Sequence, residues 1–485
     1  MSAQAPEVPV ALEREDPAKP SLTHRVAGSA VTLLTQFGAT TVVSAAATIA
    51  ITRLLGPSGY GVYGTAVATA AVLGSTADLG FTTMLSRDMA HDSATYRPML
   101  RAAYQVAGAW SMVLALVMVA LAFSASISSP RGLALLVLAP SMAVNGLNPA
   151  SALFLVTYQT KRLMRINVLT VLGQSVAAAT VALAHLGPVA VTATVSASSI
   201  INGVVIALVA QRMLPPGQGR FGRRELLRRS APLGALAILT RTYGMIDLVL
   251  LGWFVAGTRL GDYAAAAKLL AVMGGVAGTV MAGSLPGLAT TVRGGADGTE
   301  LSARIWHWLM VSAVPAFVGL ALFAPSIIEL TIGPRYRGAV VLVRILAIFG
   351  VLSVLTNLAG NVLVAVQRMR PLYLQSGLAI VLNVGANLIL IPRYGVYASA
   401  WITVATEALV CSMSVVAVRR YISIPAVMRV SRGPAAALAV AAALTLPCLG
   451  APLAAAAVFV TSLLGMLFVL RSWPQEFHPL RARRA

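Results

Sequence analysis

Long apolar blocks alternate with short polar segments along almost the whole chain. A helix needs about 20 apolar residues to cross a hydrocarbon core about 30 Å thick, and blocks of that length recur. The strands of an outer-membrane barrel would instead be about 10 residues long with alternating polarity, and the sequence lacks that pattern. The pattern therefore predicts an all-α integral membrane protein.

The blocks predict fourteen membrane-spanning helices. They span residues 29–52, 62–85, 100–124, 132–157, 166–185, 188–210, 231–255, 262–286, 305–329, 338–365, 372–391, 395–417, 434–450 and 452–470. The last pair is short and contains Pro447 and Pro452, so twelve helices followed by a re-entrant hairpin is the alternative.

Composition agrees with a membrane protein, because 58% of the residues are hydrophobic and only 11% are charged. Soluble domains carry roughly a quarter charged residues. Cys411 and Cys448 both lie in apolar blocks, which indicates neither a disulfide framework nor a metal site. The net charge of +21 lies mainly in short loops between apolar blocks, so it does not indicate nucleic-acid binding.

The distribution of basic residues predicts the orientation. With the N-terminus in the cytoplasm, most of the 36 lysines and arginines fall in cytoplasmic loops and tails. The opposite orientation would place them outside, against the positive-inside rule. Both ends are therefore predicted to be cytoplasmic, in a multi-pass protein of the bacterial inner membrane.

An internal repeat divides the chain. The segment Gly61–Ala66 opens the second predicted helix and Gly261–Ala266 opens the eighth, and Gly395–Ala398 is a weaker echo at the twelfth. The division has five parts: a disordered cytoplasmic tail (1–27), a six-helix lobe (28–211), a basic linker (212–230), a second six-helix lobe (231–420), and an extra helix pair with a basic tail (421–485). An even number of helices per half predicts lobes related by an axis along the membrane normal.

The repeats also carry a family resemblance. The segments concerned are Leu54–Tyr63, Ala77–Phe81, Pro232, Ile246–Asp247, Leu251–Gly252, Gly261–Ala266, Gly333–Tyr336 and Ile391–Val396. In order and spacing they resemble the Wzx-like polysaccharide and O-antigen flippases, in the superfamily that also holds the multidrug and toxin extrusion transporters. The resemblance implies two lobes around a cavity that opens to one side at a time. It also implies a polyprenyl-diphosphate-linked oligosaccharide as cargo.

Ionisable residues inside apolar blocks are the candidate site residues, because such residues usually face a partner or a watery cavity. Arg241 lies about 15 Å into its helix at 1.5 Å per residue and needs a carboxylate from another helix or an anionic ligand. Arginine binds phosphate by planar, bidentate hydrogen bonds. Arg241 is therefore the predicted main phosphate contact, with Arg53 and Lys268 as helpers. Arg344 completes the predicted substrate-binding set, and snorkelling to the interface is the alternative for Lys268 and Arg344.

Asp78 and Asp247 are the candidate carboxylates, for ion coupling or for structural pairing. They support the second interpretation, a cation-coupled drug or metabolite antiporter of the sister family. A glycan polymerase or ligase is disfavoured because every predicted outer loop is short. A scaffold that recruits cytoplasmic enzymes is disfavoured by the buried charges.

The sequence has no phosphate-binding loop, no metal-ligand pair and no catalytic constellation, so it predicts a transporter without a cofactor and not an enzyme. The predicted partners are the polyprenyl-linked glycan, membrane lipids and other polysaccharide-assembly proteins such as a glycan polymerase, and not nucleic acid.

Overall fold

A computed structural model describes residues 22–89, 95–215, 221–293, 298–470 and 472. Most of the predicted N-terminal tail and almost all of the segment after residue 470 lie outside this part of the chain. The described residues are nearly all helical and contain no strand, which confirms the predicted all-α fold class.

The first half contains seven α-helices and one 3-10 turn. They are α1 (Leu22–Ser75), α2 (Phe81–Asp88), α3 (Tyr96–Ser124), α4 (Pro130–Val144), the turn Asn145–Ala150, α5 (Ser151–Val156), α6 (Thr160–Leu183) and α7 (Gly187–Met213).

The second half adds eleven α-helices and two 3-10 turns. They are α8 (Arg223–Tyr243), α9 (Ile246–Phe254), α10 (Thr258–Arg293), α11 (Thr299–Leu322), α12 (Ala324–Thr331), the turn Pro334–Tyr336, α13 (Ala339–Ala365), α14 (Met369–Tyr394), α15 (Val396–Val418), α16 (Ile424–Arg429), α17 (Arg432–Thr445), the turn Leu446–Cys448 and α18 (Pro452–Val469).

Each of the fourteen predicted segments is mostly helical in its described residues, although several are interrupted. Within the described residues, eleven helices are long and apolar enough to cross a membrane, and α8 with α9 makes a twelfth if the bent pair is one span. The protein is therefore a multi-pass membrane protein. The total of fourteen, the orientation and the division into lobes stay predictions.

The first two predicted helices are joined without the expected loop. Helix α1 covers the first and continues into the second as far as Ser75, and it changes direction at Gly56, whose φ of 65° and ψ of 175° are not helical. A left-handed φ suits glycine, and Pro57 follows it as the first residue of a new helical stretch. The connection at this end of the bundle is therefore a kink instead of a loop.

The predicted helix over residues 231–255 is also interrupted. Helix α8 begins earlier, at Arg223, and ends at Tyr243, and α9 starts at Ile246 with its axis turned by 47°. Such a break leaves the last carbonyls of α8 and the first N–H groups of α9 without helical partners. In a membrane, broken backbone of this kind is tolerated where it lines a cavity or is buried in protein.

Helices α1, α9, α10 and α13 enclose the centre of the molecule. Helix α1 packs on α9 and α10, and α10 packs on α13, which in turn packs on α15. The C-terminal pair, α17 and α18, packs on itself and reaches the core through α11, where the ring of Phe459 meets Phe323 edge-on at 5.8 Å. This pair lies away from the central cavity described next.

Candidate functional site

A cavity of about 450 Å³ lies between α1, the α8–α9 break and α10, with α11, α13 and α15 completing its wall. Most of the lining is apolar. Among the side chains that the structure describes, only Asp247 and Lys268 bring charge to the lining, and four tyrosines surround them: Tyr60, Tyr63, Tyr243 and Tyr263. Two of the six predicted site residues therefore meet in one cavity.

Asp247 lies in the first turn of α9, directly after the break. One carboxylate oxygen accepts the backbone N–H of Leu248 at 2.8 Å, and the other accepts the hydroxyl of Tyr263. A carboxylate near a helix N-terminus is favoured by the free N–H groups and the helix dipole. The break thus presents a held carboxylate to the cavity, so the pairing predicted for Asp247 has Tyr263 as its partner.

Lys268 lies on α10, in the cavity wall. No described residue forms a hydrogen bond or an ion pair with its ammonium group. Its side chain is exposed to the open cavity, so the ammonium is accessible to water or to an anion. Lys268 is the cation best placed to meet an anionic group inside the protein.

The predicted main contact, Arg241, lies outside this lining. It is exposed in the last turn of α8, and no described residue pairs with it. Because the helix ends at Tyr243, Arg241 lies beside the free carbonyls of a helix C-terminus, where a cation is stabilised by the helix dipole. The sequence suggested a continuous helix and hence a deeply buried charge, and the break changes that environment.

The other two predicted cations also lie outside the cavity. Arg53 is exposed and donates to the backbone carbonyls of Leu330 and Thr331, the latter at 2.5 Å, so it joins α1 to the end of α12. Arg344 is exposed and its Nε lies 3.4 Å from the carbonyl oxygen of Ala321. Both positions fit anchors at a helix end.

Asp78 has a local structural contact at the start of α2. Its carboxylate accepts the hydroxyl of Thr82 at 2.6 Å and the backbone N–H of the same residue at 3.2 Å. This is the hydrogen bonding of a helix N-terminal cap. Asp78 is absent from the cavity lining.

Sequence reasoning missed the tyrosines of the cavity and the partner of Glu407. Tyr243 lines the cavity and donates its hydroxyl to Glu407 at 2.9 Å, and that carboxylate on α15 is only 3% exposed. Tyr63 and Tyr263 occupy the same position in the two repeats, and both line the cavity. The repeat thus held a signal for two of the tyrosines, whereas nothing in the sequence linked Tyr243 to Glu407.

The two repeats contact each other at one end of the cavity. A Cβ placed on Gly61 would lie 2.9 Å from the backbone nitrogen of Gly261, and one on Gly261 would lie 1.7 Å from the carbonyl oxygen of Pro57. One turn further, a Cβ on Gly64 would lie 3.0 Å from that of Ala264. Backbone meets backbone here, so α1 and α10 close this end, which is the outer end in the predicted orientation. We call it the outer closure.

The opposite end is closed by α8 against the turn before α2. A Cβ on Gly80 would lie 2.4 Å from the backbone nitrogen of Gly234. Nearby, Arg229 donates to Glu225 at 2.6 Å and to Asp88 at 3.3 Å. We call this contact between α2 and α8 the inner closure, since it lies on the predicted cytoplasmic side.

The ion pairs of the inner closure should weaken only in acid. Partial burial raises the pKa of Asp88, but hydrogen bonds from Arg87 and Arg229 outweigh this effect, so the pKa lies below its usual value. The hydrogen bond from Arg229 also lowers the pKa of Glu225. A lowered carboxyl pKa means that the contribution is complete at neutral pH and is lost in acid, as the pH falls through the lowered folded-state pKa.

We therefore expect Arg229→Gln to loosen the inner closure only slightly. Exposed ion pairs contribute little to stability and are screened by salt. The variant should raise the labelling rate of a cysteine introduced at Ser230, which is buried in this contact, by less than about fivefold, and high salt should raise the wild-type rate similarly. Arg228→Gln, on the neighbouring and more exposed arginine, is the control. A larger effect of the control would contradict this role for Arg229.

Comparisons with known proteins agree with this architecture. The lipid II flippase MurJ, solved in an inward closed conformation, has a TM-score of 0.74 at 12% identity, over 91% of this chain and 99% of that chain. An inward-facing multidrug resistance transporter of the MATE family gives 0.58 at 14% identity, over 80% and 96%. Its outward-facing counterpart gives 0.52 at 13% identity, over 81% and 96%. At these identities the likeness establishes the fold.

No curated protein matches the chain in sequence. A family model described as polysaccharide biosynthesis protein matches residues 50–341, which contain both repeats, both closures and most of the cavity wall. With this match over more than half of its length and the fold of MurJ and the MATE transporters, the chain belongs to the polysaccharide biosynthesis protein family.

Proposed function

We propose that the protein is a flippase that moves a polyprenyl-diphosphate-linked oligosaccharide from the cytoplasmic to the outer leaflet of the bacterial inner membrane, for cell-surface polysaccharide biosynthesis. The observation that carries this proposal is the unpaired ammonium of Lys268 in a largely apolar cavity, within a family named for polysaccharide biosynthesis. The lipid II flippase MurJ has the same fold.

The cargo has three parts that match three environments. Its diphosphate suits Lys268, because an ammonium forms charge-assisted hydrogen bonds with phosphate oxygens. Its sugars suit the tyrosines, which offer hydroxyl groups and ring faces to the cavity. Its polyprenyl tail stays in the lipid. The cavity volume is typical of a site for a drug-sized ligand, so it takes the diphosphate and the adjoining sugar but not a long glycan.

Transport then requires that the two closures open in turn. Opening of the inner closure admits the head group from the cytoplasmic leaflet, and opening of the outer closure releases it on the other side. The glycine contacts of both closures are backbone contacts, so each can separate without breaking a buried ion pair. Rocking of the two predicted lobes about the cavity is the motion that we infer.

Deletion of the gene tests the proposal directly. Lipid extracts of the deletion strain are sized by mass spectrometry, and surface polysaccharide is assayed in parallel. Intact polyprenyl-diphosphate oligosaccharide should accumulate while surface glycan falls. Complementation with the wild-type gene should restore both, and an unchanged lipid-linked pool in a strain with normal synthesis would contradict the proposal.

A cation-coupled drug or metabolite antiporter is the second candidate, and Asp247 is the observation that favours it. Its carboxylate faces the cavity with a tyrosine hydroxyl as partner, as a coupling-ion site would. Under this alternative, the deletion strain should keep its glycan pools and become more sensitive to cationic toxins. Asp247→Asn should then reproduce that sensitivity, with Asp78→Asn as the control, because Asp78 lies outside the cavity.

A further inference from the structure

Next to the outer closure lies a buried carboxylate, one oxygen of which has no hydrogen-bond partner among the described residues. Asp262 is 8% exposed, and its Oδ1 has no hydrogen bond to any described residue. Its Oδ2 lies so close to Gly338, the residue before α13, that a Cβ on that glycine would lie 2.2 Å away. Asp262 directly follows Gly261 of the outer closure, and the segment that covers it is tied to α1, because Tyr336, two residues before Gly338, donates its hydroxyl to the carbonyl of Thr52.

Several elements pack against α10 and carry charged or titratable side chains, none of which forms an ion pair with Asp262. They are Arg53 and Tyr60 on α1, Arg335, Tyr336 and Arg337 at the 3-10 turn, Arg259 and Tyr263 on α10 itself, and Arg344 on α13. Tyr336 donates instead to the carbonyl of Thr52 at 2.7 Å, and Arg53 donates to the end of α12. Within the described residues, no basic nitrogen lies within the 4.0 Å of an ion pair from the Asp262 carboxylate.

An isolated carboxylate is costly to bury, whereas a neutral carboxylic acid is not nearly as costly. In the closed arrangement, neutralisation by a proton removes this cost. When α1 and α10 separate, water from the outer side reaches Asp262, and the carboxylate is solvated. The closed and open arrangements therefore differ in their affinity for one proton.

We propose that Asp262 is a proton-binding site that is occupied while the outer closure is formed and is emptied to the outer aqueous phase when it opens. This inference rests on the alternating access proposed above and adds its regulation. Protons at the outer face stabilise the closed arrangement, and their release accompanies opening. Because one proton separates the two states, the ratio of closed to open molecules changes by up to about tenfold per pH unit.

The experiment measures the outer closure without any cargo, so its outcome is independent of what the protein transports. Cys411 and Cys448 are replaced, and spin labels are placed at Ser128, in the turn after α3, and at Glu329, on α12, both exposed positions at this end. The full chain is held in lipid nanodiscs, and the distance distribution is recorded from about pH 5 to about pH 8. We expect the longer distance to gain population as the pH rises.

Asp262→Asn mimics the protonated acid, so it should keep the short distance across the whole range. Asp78→Asn changes the carboxylate that caps α2 at the other end and should respond to pH as the wild type does. Persistence of the wild-type pH response in the Asp262→Asn protein, or its absence from the wild type, would overturn the proposal. Monodisperse size-exclusion profiles of all three proteins exclude misfolding as the cause.

Discussion

Gly261→Ala is expected to prevent the outer closure from forming and to reduce export by tenfold or more. The new methyl group would lie 1.7 Å from the carbonyl oxygen of Pro57, and backbone cannot rotate away as a side chain could. Overpacking of this kind costs about 1–3 kcal/mol, and here only the closed arrangement carries the cost. The population of closed molecules should therefore fall by about one order of magnitude or more.

The labelled pair at Ser128 and Glu329 measures this closure, and surface polysaccharide measures export. Gly278→Ala is the matched control, because it makes the same change on the same helix where nothing lies within 4 Å of the new Cβ. It should behave as the wild type in both assays. Equal export by Gly261→Ala and Gly278→Ala would mean that the contact between the repeats is dispensable.

Lys268→Gln should reduce the affinity of the purified protein for the lipid-linked oligosaccharide by about 10- to 100-fold. A hydrogen bond to a charged group contributes about 1.5–3 kcal/mol, and Lys268 is the cation of the described cavity lining. Glutamine keeps a polar side chain of similar length but removes the charge. Binding is measured on detergent-solubilised protein with the extracted substrate, and export is measured in the complemented deletion strain.

Arg241→Gln is the informative comparison, because the sequence favoured Arg241 as the main phosphate contact. It removes a cation from the neighbouring helix α8, outside the cavity. We expect binding and export close to wild type for this variant, and partial recovery for Lys268→Arg. Loss of export in Arg241→Gln with normal export in Lys268→Gln would reverse the assignment.

The helices could be predicted from the sequence because hydrocarbon thickness sets the length of an apolar block. The form of each interruption could not. A loop was expected where α1 has a kink at Gly56, and a continuous helix was expected where α8 ends before Gly244, because glycine occurs within membrane helices for packing as well as for breaks. Only the surroundings of each glycine decide between these roles, and the surroundings come from helices that are distant in sequence.

The candidate site could be predicted in part for a related reason. Lys268 and Asp247 reach the cavity as the buried charges suggested, whereas Arg53 and Arg344 lie outside it. A helix that is apolar on all sides does not reveal which side faces a cavity, so depth in the block was the remaining guide. The contact between Tyr243 and Glu407 joins residues 164 positions apart, and no local pattern could indicate it.

The outer closure also has the form of a contact on a two-fold axis. In a symmetric dimer, a residue on the axis meets its own copy in the partner. Gly61 meets Gly261 and Gly64 meets Ala264 in this way, but within one chain, where each copy can change independently. The position after the first of these glycines differs between the repeats, since Val62 in the first repeat corresponds to Asp262 in the second. Because both repeats lie in one chain, an acid can occupy one side of the contact only. A single carboxylate is then buried, whereas a dimer of identical halves would bury two carboxylates that repel each other.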